Sequence, residues 1–456
     1  MEIHIGKTLL GKLLSSEKKL MPSSFQQREK HSIVEKLTSK NRLRLLSIIF
    51  LAIWSITYFG YHISTKNLVN NQGVVIGGDF ITFYLAGKII QEGKGTKIYD
   101  PEYQKRVQNQ ILAPEEMKGL LYYINPASVA VTYSVFSFLP YRIAFHTHTL
   151  IMISFFILGM FALKSQLKGI SSDWWLAGLL GMVWMPMMHT IIGGQNAALT
   201  FFLLCWGYVA IVKNQQGKAG LALGLLLFKP QYGVPLLGLL LLKKKWQTFE
   251  VALLIGLGHY LLGAMFCGWD WPVKMLGSVS GLYWAQERIA GGATHISIME
   301  VFDFSIIQPL EKIRGDASLI KLIQYFGYGI IGSLILFLIF IWRKANPQHG
   351  DFRLFCALAI SGSLLISLHT QYYDLSLLVL PVLLILDFQL LKGNTPNTLQ
   401  RVILIIGFIS YPLHRISSYI HFQPLFLIPI YIFLWSLWEM KYEKNSNSNH
   451  QLKLIQ

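Results

Sequence analysis

Apolar residues in this chain come in runs, and many of the runs have the length of a bilayer. The first extends from Leu43 to His62, about 20 residues, which is what a helix needs to cross ~30 Å of hydrocarbon. Further runs lie at 143–163, 174–192, 197–213, 249–267, 321–342, 353–371, 373–390, 401–419 and 423–440. Residues 219–242 hold two shorter apolar pieces separated by Lys229-Pro230. Proline removes a backbone donor and interrupts a helix, so a broken or hairpin-like pair is predicted there. With that pair counted as two, the pattern predicts an all-α polytopic membrane protein of about 12 spans.

Two polar intervals stand apart, 64–142 and 268–320. The first carries Gly77-Gly78-Asp79-Phe80, an apolar-patterned stretch to Ile90, then Ile98-Tyr99-Asp100 and Tyr122-Tyr123-Ile124-Asn125-Pro126. Its apolar run at 127–139 is too short to span comfortably and reads as interfacial or re-entrant.

Charge orients the pattern. Lys164 and Lys168, Lys213 and Lys218, Lys243 to Lys245, Arg343 and Lys344, Lys392 and Arg401, and Lys441 and Lys444 fall in alternate short loops. The turns at 193–195, 369–374 and 417–421 carry almost no Lys or Arg. Loops rich in Lys and Arg stay in the cytoplasm. Both termini are therefore expected inside, with 64–142 and 268–320 as the first and second periplasmic loops. Residues 1–42 are basic, with leucines at roughly helical spacing, and read either as an amphipathic tail on the inner membrane surface or as a mobile one. Residues 441–456 read as a second cytoplasmic tail.

Composition agrees with lipid exposure. The chain is 53% hydrophobic and 14% charged, with mean hydropathy +0.44, against about 25% charged residues in soluble domains. A net charge of +17 would raise nucleic-acid binding in a soluble protein. Here the basic residues cluster between apolar runs without aromatic interleaving, so membrane lipids and not nucleic acid are the expected partner. The three cysteines, Cys205, Cys267 and Cys356, have neither zinc-site nor disulfide-framework spacing. No metalloprotease, P-loop, nucleophile-elbow or dinucleotide motif is present, and the aspartates form no paired metal motif, so no metal or cofactor is expected.

Polar residues at membrane depth need a reason to exist, and charged ones commonly line a cavity. Asp79 follows two glycines, which permit a tight backbone path towards a ligand. Its carboxylate suits a general base, and it equally suits a helix cap. Gln195-Asn196 could bind a polar ligand or cap the helix that follows. Lys229, beside Pro230 and Gln231, suits an anion at a helix break, or it snorkels to the interface. Ser367 to Asp374 gathers His369, Tyr373 and Asp374 in one turn, fit for a phosphate and a sugar or for an interfacial belt. The second loop adds Asp270, Gln286, Glu287, Arg288 and His295. Arg288 is a candidate phosphate contact.

Taken in order, these segments resemble glycosyltransferase family 87, the polyprenyl-phosphate-mannose-dependent mannosyltransferase-like group with the GT-C fold. Gly78-Asp79-Phe80, Tyr84, Ala86-Gly87 and Ile98-Tyr99-Asp100 look like its opening signature. Asn125-Pro126 resembles its next segment, with Ala127 where a second proline is frequent. Gly194-Gln195-Asn196 is similar to its Gly-Gln-x-Asn turn, with the Asn one place early. Ala219-Gly220-x-x-x-Gly224 through Phe228-Lys229-Pro230-Gln231, and Ser367-x-His369-Thr370-x-x-Tyr373-Asp374-Leu375, complete the resemblance over about residues 74–390.

The resemblance implies a membrane-embedded transferase that moves a hexose, mannose by default, from a polyprenyl-monophosphate donor. The acceptor would be a lipid or glycan outside a bacterial inner membrane. It implies inversion, with Asp79 as the base. Lys229, His369 and Arg288 would hold the donor phosphate, and Tyr84, Gln195, Asn196, Gln231, Tyr373 and Asp374 would contact substrate. Two rival readings are a transporter or flippase of lipid-linked sugars and a non-catalytic membrane subunit. The first would be expected to show paired broken helices in an internal repeat, and only one broken pair is visible.

Overall fold

The computed structural model describes residues 33–455 apart from 66, 71–72, 118, 281–294, 314 and 368. Most of the expected amphipathic tail, together with Gln286, Glu287 and Arg288, lies outside the described residues. Among the described residues the secondary structure is helical, with two isolated β-bridges and no strand.

A short helix α1 (Ile33–Leu37) leads into α2 (Lys40–Ser64), the first candidate span. Of its 25 residues only Ser47 is buried, so α2 lies at the rim with apolar side chains all round, as a lipid-facing helix should. The interval before the next span folds into α3 (Phe80–Gln91), α4 (Pro101–Leu112) and α5 (Ala127–Tyr133). The Asp100 carboxylate accepts from the Tyr103 backbone N–H at the start of α4. The Tyr99 hydroxyl donates to the Asn125 carbonyl at 2.8 Å, and Gln104 exchanges hydrogen bonds with the Tyr123 backbone. The Ile98-Tyr99-Asp100 and Tyr122 to Pro126 segments thus hold each other and build a scaffold.

Next come α6 (Tyr141–Leu163), α7 (Trp174–Val183), α8 (Met185–Ile192) and α9 (Ala197–Val212). The expected straight span 174–192 is bent by 60° between α7 and α8. Trp184 takes an extended conformation there, and Pro186 sits in the first turn of α8, where a missing N–H costs nothing. The expected hairpin-like pair is α10 (Gln216–Leu225) and α11 (Pro230–Leu241). It breaks at Lys229 (φ −119°, ψ 79°), because a residue before proline is pushed out of the helical region. Gly220 and Gly224 put α10 against α12 (Trp246–Cys267). A Cβ on Gly220 would lie 2.5 Å from the Thr248 carbonyl oxygen, and one on Gly224 would lie 2.7 Å from Ile255. Small residues four apart permit such close approach between helices.

After α13 (Trp271–Ser278), α14 (Ile298–Phe302) and α15 (Gln308–Ile313), the long α16 (Ala317–Trp342) and α17 (Phe352–Ile366) follow. The 3₁₀ segment Tyr372–Leu378 runs into α18 (Val379–Leu391), and α19 (Thr398–Phe408), α20 (Ser410–Ile420) and α21 (Leu427–Ile455) close the chain. α19 and α20 meet at 82°, so the expected span 401–419 is also bent.

Among the described residues, six helices are long and apolar enough to cross a membrane, and up to eight if each bent pair is one span. The expected count of about 12 rested on runs now seen as helices of 10–17 residues, among them α9, α10, α11 and α17. At 1.5 Å per residue such helices fall short of ~30 Å. Much of their apolar character serves packing: 13 of the 15 residues of α17 are buried.

Loops expected to share a side do meet. Lys40 bonds Asp173 at 2.5 Å, Arg401 donates to Thr38, Lys243 to the Arg343 carbonyl, and Lys245 to Asn214. Asp387 receives the backbone N–H groups of Gly169 and Ile170 and pairs with Arg353.

Candidate active site

The turns at 77–79 and 193–196 are far apart in sequence and interlocked in space. Gly194 has φ +72°, and a Cβ there would lie 2.4 Å from both the Gly77 carbonyl oxygen and Phe80 Cβ. Only glycine fits such a contact at such an angle. The Asp79 backbone N–H donates to the Gly193 carbonyl at 3.0 Å. Asp79 occupies the N-cap position of α3, but its side chain makes no capping bond. Instead the Gln195 side-chain amide donates to Asp79 Oδ2 at 2.6 Å. Asp79 is half-buried. Asn196 precedes α9, is buried, and likewise makes no side-chain cap.

The second part of the site forms where α11 begins. Lys229 Nζ lies 3.1 Å from Asp374 Oδ1, with both side chains buried. Asp374 Oδ2 accepts the Gln371 backbone N–H at 3.1 Å, which fixes the turn before α18. The Lys229 ammonium is 5.6 Å from the centre of the Tyr373 ring and 6.0 Å from that of Tyr232, within reach of cation–π attraction.

Short links join the two parts. The Gln195 backbone N–H donates to the Thr190 carbonyl at 2.9 Å, and the Thr190 hydroxyl reaches the Tyr373 carbonyl at 3.4 Å. Asp79, Gln195, Lys229, Tyr373 and Asp374 therefore lie along one chain of contacts.

His369 opens a third part. The Ser367 hydroxyl donates to the His369 carbonyl and accepts the His369 N–H, closing a tight Ser-x-His turn. His369 Nδ1 lies 2.9 Å from Glu300 Oε1, and His295 Nδ1 lies 3.4 Å from the same oxygen. Glu300 Oε2 accepts from the Ser297 hydroxyl at 2.7 Å and from the Thr370 N–H at 3.1 Å. Burial by itself would raise the Glu300 pKa, but the two imidazoles and the Thr370 N–H outweigh it and hold the carboxyl below its ordinary range. Glu300 was not singled out by its sequence. Ser297-x-x-Glu300 has the form of a helix capping box, and nothing in the spacing links it to His369.

The remaining expected residues lie less centrally. The Tyr84 hydroxyl donates to the Leu139 carbonyl at 2.8 Å, and the ring lines a recess of about 270 Å³ with Lys88, Glu92 and Tyr141. Gln231 is half-buried in the first turn of α11. Arg288 lies outside the described residues.

A larger, mainly apolar groove of about 690 Å³ runs between α2, α6, α7 and α8. Its walls include Trp54, Tyr58, Phe156, Met182, Ile191 and Ile192, and α8 ends at the Gly193-Gly194 turn beside Asp79.

The family model of glycosyltransferase family 87 matches residues 123–367, more than half of the chain. The chain belongs to glycosyltransferase family 87. It is thus a membrane glycosyltransferase. The family match contains Gln195, Asn196, Lys229, Gln231 and Glu300, and it ends before His369, Tyr373 and Asp374 and begins after Asp79 and Tyr84. No curated protein and no solved structure matches this family 87 chain.

Proposed function

We propose that this family 87 glycosyltransferase moves a hexose from a polyprenyl-monophosphate donor to a hydroxyl of a lipid or glycan acceptor, on the periplasmic side of a bacterial inner membrane. The observation that carries this reading is the Asp79 carboxylate, held by Gln195 across two interlocked glycine turns.

In this reading Asp79 takes the proton of the acceptor hydroxyl as its oxygen attacks the anomeric carbon. The bond from that carbon to the phosphate oxygen breaks on the opposite face, so the configuration inverts and polyprenyl phosphate leaves. Gln195 orients the base. Lys229 and His369, with Arg288, are assigned to the phosphate, whose growing negative charge they stabilise. Asp374 holds Lys229 in place, and Tyr373, beside the ammonium, is assigned to the sugar with Tyr84, Asn196 and Gln231. The groove that ends near Asp79 supports a lipid-linked substrate, since its apolar walls suit a prenyl chain.

The test is a transfer assay with the full chain in lipid nanodiscs, a polyprenyl-phosphate hexose and an acceptor lipid extract. The expected products are a glycosylated acceptor of inverted anomeric configuration and free polyprenyl phosphate. Transfer from a nucleotide sugar alone, retention of configuration, or donor translocation without transfer would each overturn the reading.

A further inference from the structure

The cations assigned to the donor phosphate already have acidic company. Lys229 is paired with Asp374, and His369 faces Glu300. A buried ion pair is close to neutral when seen from a ligand, so these contacts alone leave little net positive charge for a phosphate. The His295, Glu300 and His369 cluster has the composition that would supply it.

Two imidazoles and one carboxylate turn ligating atoms to a common point. One ligating atom from each residue lies within 4.8 Å of the others, and the two nitrogen-to-oxygen separations are 2.9 and 3.4 Å. Ligands about 2.0–2.1 Å from a tetrahedral zinc ion stand roughly 3.3 Å apart. The carboxylate is divided as a one-oxygen ligand requires. Oε1 faces both rings, while Oε2 is held by the Ser297 hydroxyl and the Thr370 N–H. Outer partners of this kind orient metal-binding carboxylates. The histidine ligands come from two segments that a β-bridge between His295 and Gln371 ties together, and Glu300 lies five residues after His295, in α14. His295 and Glu300 are buried while His369 is half-buried.

We propose that His295, Glu300 and His369 bind one divalent metal ion of zinc's ligand preference, with a fourth position open to a phosphate oxygen. Two histidines and a glutamate with one open position are a known catalytic zinc set. On binding, each imidazole presents its Nδ1 lone pair and keeps its other nitrogen protonated, and any proton on Nδ1 passes to water. This reverses the expectation of no metal, which looked for paired aspartates and short spacings. The assignment of the open position to phosphate rests on the proposed function, whereas metal binding itself does not.

The test uses the purified full chain in detergent, stripped with a chelator and titrated with Zn²⁺ alone by calorimetry, with retained metal counted after desalting. About one ion per chain is expected, and stripped protein should show the visible absorption of a nitrogen- and oxygen-bound site with Co²⁺. Glu300→Gln and His295→Ala, checked for folding by gel filtration, should lose the ion. Ser297→Ala, which removes an outer partner of the carboxylate together with the cap of α14, should bind about tenfold to a hundredfold more weakly. His414→Ala, in a separate aromatic cluster, should bind as wild type. No stoichiometric uptake by folded wild-type protein would overturn the proposal, a result that needs no variant. Uptake unchanged in both Glu300→Gln and His295→Ala would overturn it as well. Asp79→Asn should bind Zn²⁺ normally, so metal binding and the transfer mechanism fail independently.

Discussion

Asp79 and Asp374 stand in turns that lead into helices on the same chain of contacts, yet their surroundings suit them to different tasks. Asp374 is buried and faces the Lys229 ammonium at 3.1 Å. An acid so placed holds the lysine beside it in a fixed position. Asp79 is half-buried and accepts from the neutral amide of Gln195. The Gln195 amide orients this carboxylate through one oxygen, Oδ2. The comparison teaches that two acids at similar places before helices are held by different partners and at different depths.

The contrast can be broken at either end. The largest effect is expected from Lys229→Met, which leaves Asp374 buried beside an apolar chain. Removing one partner of a buried pair costs about 3–5 kcal/mol, so the thermal midpoint in detergent should fall steeply. Loss of transfer with no change in stability would show that the pair is not an anchor. A smaller loss is expected from Gly194→Ala. The new Cβ would meet the Gly77 carbonyl oxygen and Phe80 Cβ at 2.4 Å, and strain of this type costs about 1–3 kcal/mol. Because the two turns hold Asp79 against Gln195, turnover should drop more than donor binding. Equal losses in both would mean that the turn supports the whole site and not the base. The smallest effect is expected from Tyr84→Phe. Its hydroxyl ends on the Leu139 carbonyl, so about 0.5–1.5 kcal/mol of stability should go. Sugar-donor binding should weaken as well, because Tyr84 is assigned to the sugar, and unchanged donor binding would remove it from the substrate site.

Hydropathy alone located the long spans, because a helix in lipid must be apolar over its whole length. It read α9 and α17 as spans too, and these helices have 16 and 15 residues, fewer than the ~20 that a straight span needs. The bends at Trp184 and Ile409 were missed although Pro186 and Pro412 lie close by, because a proline in the first turn of a helix marks a start as readily as an interior kink. The break at Lys229-Pro230 was legible, as proline constrains the residue before it. Within the site, Asp79, Gln195, Lys229 and Asp374 stood out as polar groups in apolar or glycine-rich surroundings. What the sequence could not display was who meets whom. Gln195 and Asp79 are joined by a turn-to-turn contact, and Glu300 meets His369 only because two distant segments form a bridge.

Turnover of Asp79→Asn with the lipid-linked donor tests the proposed role of Asp79 as the base most directly. The amide keeps the size of the side chain and can still meet Gln195, but it cannot take a proton. The predicted result is a folded protein that binds donor as wild type while kcat falls about 10²–10⁴-fold. Turnover near the wild-type rate would contradict the account and remove Asp79 from the reaction.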